Sequence, residues 1–421
     1  MTSNSASHEL PGLLQELARF SAPGSGVTRL AYDEAWCAAH AWLAEQGAAR
    51  GLAAAPDAAG GLWFSAPGAP RRALLVGSHL DSVPGGGRYD GAYGVLAGLL
   101  LARGAAAPGE LPVVGFVSPE EEESRFRGGL MGARSLVGQV RAAELDAIRD
   151  LEGVTWRAAL ERARACGCAA ALAPGERPFA PPFEAAAQLE LHIEQGPVLE
   201  AEGLHLGIVE GIAGYRRAEV RVSGEARHAG TTPMLLRRDA LAAAAECALA
   251  AEALAREAGE PAVATAGRLG AEPGAFNVVP GWSELWLEVR HAEAAALARL
   301  AAELEARCRA ICERRGVSLE WRDVSSQEPV RLSEELAGLA EALARERGVQ
   351  FRRMVSGAGH DTMVFARHGV PSLMLFVPSR GGVSHSPEEY TPAQDLSAGV
   401  EFARELCARI ARGKWARADR A

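Results

Sequence analysis

Aromatic residues are scarce in this chain, at 6% of 421 residues. Long apolar runs are absent as well. No window approaches the roughly 18 uninterrupted apolar residues that a membrane helix needs, so no membrane partner is expected. The first residues, MTSNSASHELPGLL, lack a basic segment followed by an apolar core. A secretory signal is therefore not expected, and a cytoplasmic location is. The seven cysteines are odd in number. The close pairs Cys166/Cys168 and Cys308/Cys312 have no second pair at zinc-site spacing. Free thiols in a reducing compartment follow, rather than a disulfide framework. Positive charge is in deficit: 44 Lys and Arg against 53 Asp and Glu leave a net charge of −9. That balance argues against a nucleic-acid groove. There is no internal repeat, low-complexity tract or long block of like charge. The longest acidic run, Glu120 to Glu123, is too short for a tail.

What remains is a soluble globular composition, 48% hydrophobic and 23% charged. The length exceeds what one hydrophobic core usually organises, so two domains are expected. The first third alternates strand-like and helix-like stretches. Residues 73–78 (ALLVGS) and 111–117 (LPVVGFV) are short apolar runs, and 91–106 suit a buried helix. Such alternation implies an α/β domain, a mostly parallel sheet with helices on both faces. Ligands gather at the carboxyl ends of such strands. Residues 139–185 are harder to read, and APGERPFAPPFE suggests an extended surface segment. A strand resumes at 187–192.

From about residue 213 the texture changes. Residues 215–223 and 284–290 alternate polar and apolar, as half-solvated strands do. Helical stretches at 239–258 and 293–315 and strands at 262–269 and 317–323 complete a βαββαβ order. This is the ferredoxin-like α+β pattern, an antiparallel sheet with helices on one face. Residues 213–327 are accordingly read as a domain inserted into a discontinuous one, 1–212 and 328–421. A helix at 332–348, an apolar run at 371–377 and an amphipathic helix at 393–412 follow.

Four segments carry chemistry. In GSHLDSVPGGGRYDGAYGVLAG (77–98), His79 and Asp81 stand just past a strand, and Asp90 opens a Gly-rich helix start. Imidazole and carboxylate ligands are what a catalytic zinc takes, although a lone His-x-Asp is more often a loop residue beside a cap. In SPEEEESRFRGG (118–129), four glutamates follow a strand. The bland reading is a solvated acidic loop. The sharper one assigns one glutamate to a metal and its neighbour to general-base work, because a cation would relieve the crowded charge. LELHIEQGPVLE (189–200) and VPSRGGVSHSPEEYT (377–391) place His192 and His385 at or beyond probable strand ends. Convergence of all four at one sheet edge defines a candidate site.

Together these segments resemble the zinc amidohydrolase branch of the aminoacylase and metallopeptidase-like family. That branch contains allantoate amidohydrolases, N-carbamoyl-L-amino acid hydrolases and beta-ureidopropionases. The similarity runs from about residue 70 to about residue 412. It also includes GIVEGIAGYR, GEARHAGTTPM with RRDAL, FNVVP, LEVRH and SGAGHDTM. The resemblance implies two divalent metal ions, zinc or else manganese. His79 and His192 would hold one, Glu122 and His385 the other, with Asp90 bridging. Asp81 would orient His79, and Glu121 would be the catalytic base. The family's acidic stretch commonly reads Glu-Glu-Gly-Ser-Arg-Phe. Here Glu123 stands where Gly is typical, which keeps Glu122/Glu123 open as an alternative pair, although Ser124-Arg125-Phe126 favours Glu121/Glu122. The inserted domain would be a lid and dimerisation domain supplying His228, Asn277 and Arg290, with His228 also acting in catalysis. Gln195, His360 and Gly359 would line the pocket, and Gly357 beside Gly359 would let the backbone approach the ligand.

The implied reaction is hydrolysis of the ureido C–N bond of a small carboxylate, an N-carbamoyl-L-amino acid or allantoate, by a homodimer built on residues 213–327. A dipeptidase or aminoacylase of the same family is the enzymatic alternative. A metal-free binding paralogue is the non-enzymatic one, and it would lack a ligand or base; none is missing.

Overall fold

The computed structural model describes residues 5–105 and 107–416. The chain forms two compact units. The first runs through Glu210, resumes at Leu332–Met354 and again from His360; the second comprises Gly211–Arg331 and Val355–Gly359.

The first unit is built on a mixed sheet. Its strands are β1 (Ala53–Pro56), β2 (Leu62–Ser65), β3 (Arg72–His79), β4 (Val113–Ser118), β5 (Glu184–Ile193) and β6 (Leu206–Ile212). The four central strands, β4, β3, β5 and the late strand Ser372–Val377, are parallel neighbours. The flanks are antiparallel: β1 on β2, β2 on β4, and β6 on Ser372–Val377. Every residue of β4 is buried, and so is every residue of β3 after Arg72. Apolar runs therefore mark these strands better than alternation does, as expected for strands covered on both faces.

The faces divide by parity. Leu74, Val76, Val113 and Val117 pack with residues of helices Ser5–Leu17, Ala92–Leu101, Glu334–Arg347 and Ala393–Arg412. Ala73, Leu75, Val114 and Phe116 pack on the other side with Ala133 and Leu136, and with Val364 and Phe365. The latter come from the short helices Met131–Leu136 and Asp361–Arg367.

Helix Ala92–Leu101 stops short of the expected 106. Arg103 leaves it to bridge Val113 in antiparallel fashion, donating its N–H to the Val113 carbonyl at 2.8 Å. Residues 139–183 hold two helices, Ala142–Ala147 and Trp156–Ala165, before β5 begins. All seven cysteines are free thiols.

The second unit has four antiparallel strands, β7 (Gly214–Ser223), β9 (Val263–Glu272), β11 (Trp282–His291) and β12 (Ser318–Gln327), in the order β12-β7-β11-β9. Two-residue strands β8 (Arg227–His228) and β10 (Val278–Val279) form a small separate ladder. Helices Ala240–Ala258 and Ala294–Arg314 share one core with Val220, Val222, Leu285, Leu287 and Val289. Asp239 caps the first of these helices by accepting from Ala242 N–H at 3.0 Å. Strand β13 (Val330–Arg331) pairs with the end of β6, β14 (Phe351–Ser356) also pairs with β6, and Ser372–Val377 is β15.

Helix Ala92–Leu101 lies close on the sheet because its inner face is glycine. A Cβ at Gly98 would stand 2.4 Å from the Val76 carbonyl oxygen. Gly98→Ala should therefore push the helix off the sheet and destabilise the first unit by about 1–3 kcal/mol, as overpacking typically does. A lower urea midpoint at unchanged slope would show it.

Candidate metal centre

The parallel strands end together. His79 of β3 is level with Ser118 of β4, and His192 of β5 with Phe376 of β15. Each strand then releases its chain into a loop carrying acids or histidine, so the polar groups meet at one carboxyl edge.

His79 is fully buried. Its Nδ1 lies 3.0 Å from the Asp81 carbonyl oxygen. A carbonyl only accepts, so Nδ1 carries a proton and Nε2 is the nitrogen left to face the carboxylates. His192 repeats this design, with Nδ1 2.9 Å from the Ile193 carbonyl. The two Nε2 atoms face carboxylates. His192 Nε2 is 3.2 Å from Asp90 Oδ1. His79 Nε2 is 3.6 Å from Asp90, 3.7 Å from Glu121 and 3.7 Å from Glu122. His385 reaches the other side of Asp90, with Nε2 3.1 Å from Oδ2 and 3.4 Å from Glu122 Oε2.

The acidic loop is braced from several directions. Asp81 accepts from the Glu121 N–H at 2.9 Å and the Glu122 N–H at 3.2 Å. Trp36 Nε1 donates to the Pro119 carbonyl at 3.1 Å, and Arg125 donates to the Ala31 carbonyl at 2.7 Å. Glu121 Oε2 accepts from the Asp361 N–H at 2.7 Å. His360, buried next to it, stands edge-on to His192 with centroids 4.6 Å apart, its Nδ1 3.7 Å from Glu121 Oε1.

Charge is unevenly satisfied here. Burial opposes a charged His79, but Glu121, Asp81 and Asp90 outweigh it and hold its pKa well above the usual histidine value. Burial works to raise the pKa of Asp90, yet its histidine partners hold it well below the usual range. Glu121 goes the other way, pushed up by burial and by Asp361, Glu190 and Glu122 despite His79. His385 is raised to about 10 by Asp90 and Glu122. His79 Nε2 and Asp90 Oδ1 are buried without a hydrogen-bond partner. Ring nitrogens and carboxylate oxygens aimed at one another fit a cation between them, in the place the Nε2 protons would otherwise take. Donor atoms of His79, Asp90 and Glu122 lie within 4.8 Å of one another, and so do those of His79, Glu121 and His192.

The sequence-derived candidates divide between the units. His79, Asp81, Asp90, Glu121, Glu122, His192, Gln195, His360 and His385 come together in the first. Gln195 Nε2 is engaged by Asp90 Oδ2 at 3.1 Å. His228, Asn277, Arg290, Gly357 and Gly359 belong to the second. There the Asn277 carbonyl accepts from the Ala229 N–H at 2.8 Å. His228 is exposed, and its Nδ1 accepts from the N–H groups of Gly230 (3.1 Å) and Thr231 (3.2 Å). Nε2 therefore carries the proton as an outward donor. Arg290 bonds Glu288 through Nε and the Gly357 carbonyl through Nη1, each at 2.6 Å.

Sequence reasoning assigned no role to Glu190 and Asp361, two buried acids beneath the site. Glu190 stands two residues before His192 inside a buried strand and accepts from Ser78 at 2.7 Å. A lone acid within an apolar strand was the available signal.

A model of peptidase family M20/M25/M40 matches residues 75–409. The chain belongs to this family. Its members are metal-dependent hydrolases. The chain is 37% identical over 396 residues to allantoate amidohydrolase of Escherichia coli, covering 91% of this chain and 93% of that one. It is 38% identical to an N-carbamoyl-L-amino-acid amidohydrolase of Paenarthrobacter aurescens, covering 92% and 94%. A crystal structure of a hydantoinase/carbamoylase family amidase from Burkholderia multivorans matches with a TM-score of 0.86 at 28% identity, over 97% of this chain and 98% of that one.

Within this family member, Glu123 departs from the glycine expected beside the acidic pair. It adopts a left-handed φ of 51°, where glycine is free and other residues are strained. Glu123→Gly should therefore stabilise the protein by about 0.5–1 kcal/mol, the strain relieved less the flexibility gained. Chemical denaturation reads this. A loss of metal affinity in the same variant would instead make Glu122/Glu123 the functional pair.

Proposed function

We propose that this chain hydrolyses the ureido C–N bond of a small carboxylate substrate, an N-carbamoyl-L-amino acid or allantoate, with two divalent metal ions. The names of the relatives support the substrate class. The observation that carries the metal reading is the buried, unpartnered meeting of His79 Nε2 and Asp90 Oδ1. In this reading His79 and His192 would hold one ion and Glu122 and His385 the other, with Asp90 available to both. Asp81 orients His79 and fixes the loop of Glu121 and Glu122. The nitrogen and oxygen donors suit zinc, with manganese as the alternative. When bound, the ions supply Lewis acidity for a carbonyl that two nitrogens make a poor electrophile.

The chain's own groups do the rest. Glu121 takes the proton from the attacking water and delivers it to the departing nitrogen. Buried His360 shapes the space around Glu121, and Gln195 holds Asp90 from the other side. His228 and Asn277 donate to the oxyanion. Arg290 forks onto the substrate carboxylate, close to the backbone of Gly357 and Gly359. The products are the free amine, ammonia and carbon dioxide. Residues 213–327 serve as the lid and pair two copies into a homodimer, with the remaining residues forming the catalytic domain. No helix among the described residues is long and apolar enough to cross a membrane, and the proposed location is cytoplasmic.

The metal-loaded protein should release ammonia from allantoate or N-carbamoyl amino acids and leave dipeptides intact. Dipeptide cleavage without ammonia would overturn the ureido reading. Exhaustive chelation should abolish turnover, and elemental analysis should find two ions per chain. Glu121→Gln should lower kcat by about 10²–10⁴ with metal content unchanged. Arg290→Ala should raise KM for carboxylate substrates far more than for a ureido analogue lacking the carboxylate. Sedimentation equilibrium should give a dimer; a strict monomer would remove the pairing role of residues 213–327.

A further inference from the structure

Glu389 has no part in the chemistry above. The residue is 3% exposed and follows the turn after His385. Oε1 accepts from the backbone N–H groups of Tyr89 at 2.9 Å and Asp90 at 3.2 Å. Oε2 accepts from the hydroxyl of Ser384 at 2.8 Å. One side chain thus ties the loop that carries Asp90 to the loop that carries His385, across 300 residues of sequence.

Gln195 closes the arrangement. Its amide donates to Asp90 Oδ2 at 3.1 Å and to Ser384 Oγ at 3.2 Å. Its own backbone N–H is held by Ser379 Oγ at 3.0 Å. Both Gln195 and His385 have left-handed φ, 57° and 54°. Each such residue costs about 1–2 kcal/mol and persists only where the surroundings over-determine it. The fit is also written into the backbone opposite. A Cβ at Gly87 would lie 2.0 Å from Glu389 Cδ, so glycine is required for the carboxylate to reach the Asp90 loop.

A buried carboxylate is expensive to desolvate and is kept where its hydrogen bonds are complete. Here both oxygens are used, and every donor belongs to a residue that is, or directly adjoins, a candidate ligand. We propose that Glu389 is a positioning residue of the metal centre. It fixes the backbone at Asp90 and, through Ser384, the approach of His385, so that the groups assigned to the two ions are held in one geometry. It touches neither ion nor substrate. This inference rests on the two-ion reading of the site.

Manganese is the probe, followed by calorimetric titration and electron paramagnetic resonance. Wild-type protein loaded with Mn²⁺ should give the spin-coupled signal of a close pair. Glu389→Ala should bind Mn²⁺ about 10–100-fold more weakly, the usual penalty for losing an outer partner of a metal ligand, and should shift the signal towards isolated ions. Glu389→Gln keeps an oxygen for the Tyr89 and Asp90 N–H groups and turns an amide to the rotatable Ser384 hydroxyl, so it should recover most of the affinity. If Glu389→Ala does not fold, Ser384→Ala takes its place and should weaken Mn²⁺ binding several-fold. Wild-type affinity and an unchanged coupled signal in the folded variant would overturn the role of Glu389. Isolated Mn²⁺ in the wild-type protein would instead refute the two-ion reading. The affinity for that single ion then decides, and an unchanged value in Glu389→Ala again overturns the inference.

Discussion

Crowding of buried acids is the constraint around which the first unit is arranged. Asp81, Asp90, Glu120, Glu121, Glu190 and Asp361 are all buried at or beneath one sheet edge. Two unit charges 4 Å apart interact by about 4 kcal/mol at the effective dielectric of a protein. Six such groups exceed what a marginally stable fold tolerates unless protons, donors or cations answer them. The protonation pattern shows the strain. Burial and neighbouring acids push Glu120 and Asp361 well above the usual carboxylate range, while His79 is drawn upward by the acids around it.

The fold answers with backbone rather than with many cationic side chains. Asp81 is satisfied by two successive N–H groups of the loop it supports, Glu121 by the N–H that opens helix Asp361–Arg367, and Glu389 by two N–H groups of the Asp90 loop. Such donors carry no net charge and do not move, so they steady the acids without neutralising them. The histidines follow the same logic. Carbonyls take the Nδ1 protons of His79 and His192, and Nε2 is left aimed into the acids. The groups that could hold a cation are thus fixed by several elements of the framework at once.

The buried strands were legible because they are unbroken apolar runs. Residues 73–78, 111–117, 187–192 and 371–377 all fall on or within a residue or two of strands. The long helices showed their period of apolar residues, and 393–412 matches its helix end to end. The two strands at one end of the sheet were not legible: Ala53–Pro56 is mostly alanine, and Leu62–Ser65 is too short to show a period. Met131–Leu136 and Asp361–Arg367 are helices of six and seven residues whose form is set by packing on the sheet. In the site, residues just past a strand could be read because strand ends announce themselves. Glu190 and Asp361 could not, since pairing across the sheet decides what lies beneath the histidines. Glu389 sits in a segment read for its histidine, and only the tertiary contact with Tyr89 and Asp90 gives it meaning.

The position of β15 has a consequence for how the protein comes into being. It lies between β5 and β6, which are neighbours in sequence but not in the sheet. Both are synthesised well before residue 377, so their inner edges must wait, unpaired, while the whole second unit and more emerge from the ribosome. Open strand edges are templates for wrong partners. Helices Ala240–Ala258 and Ala294–Arg314 close their own core from sequence-local pieces and can form early. The slot in the larger sheet can be filled only near the end of synthesis. Completion of the larger sheet therefore waits on the late insertion of six residues, Ser372–Val377, between strands already made.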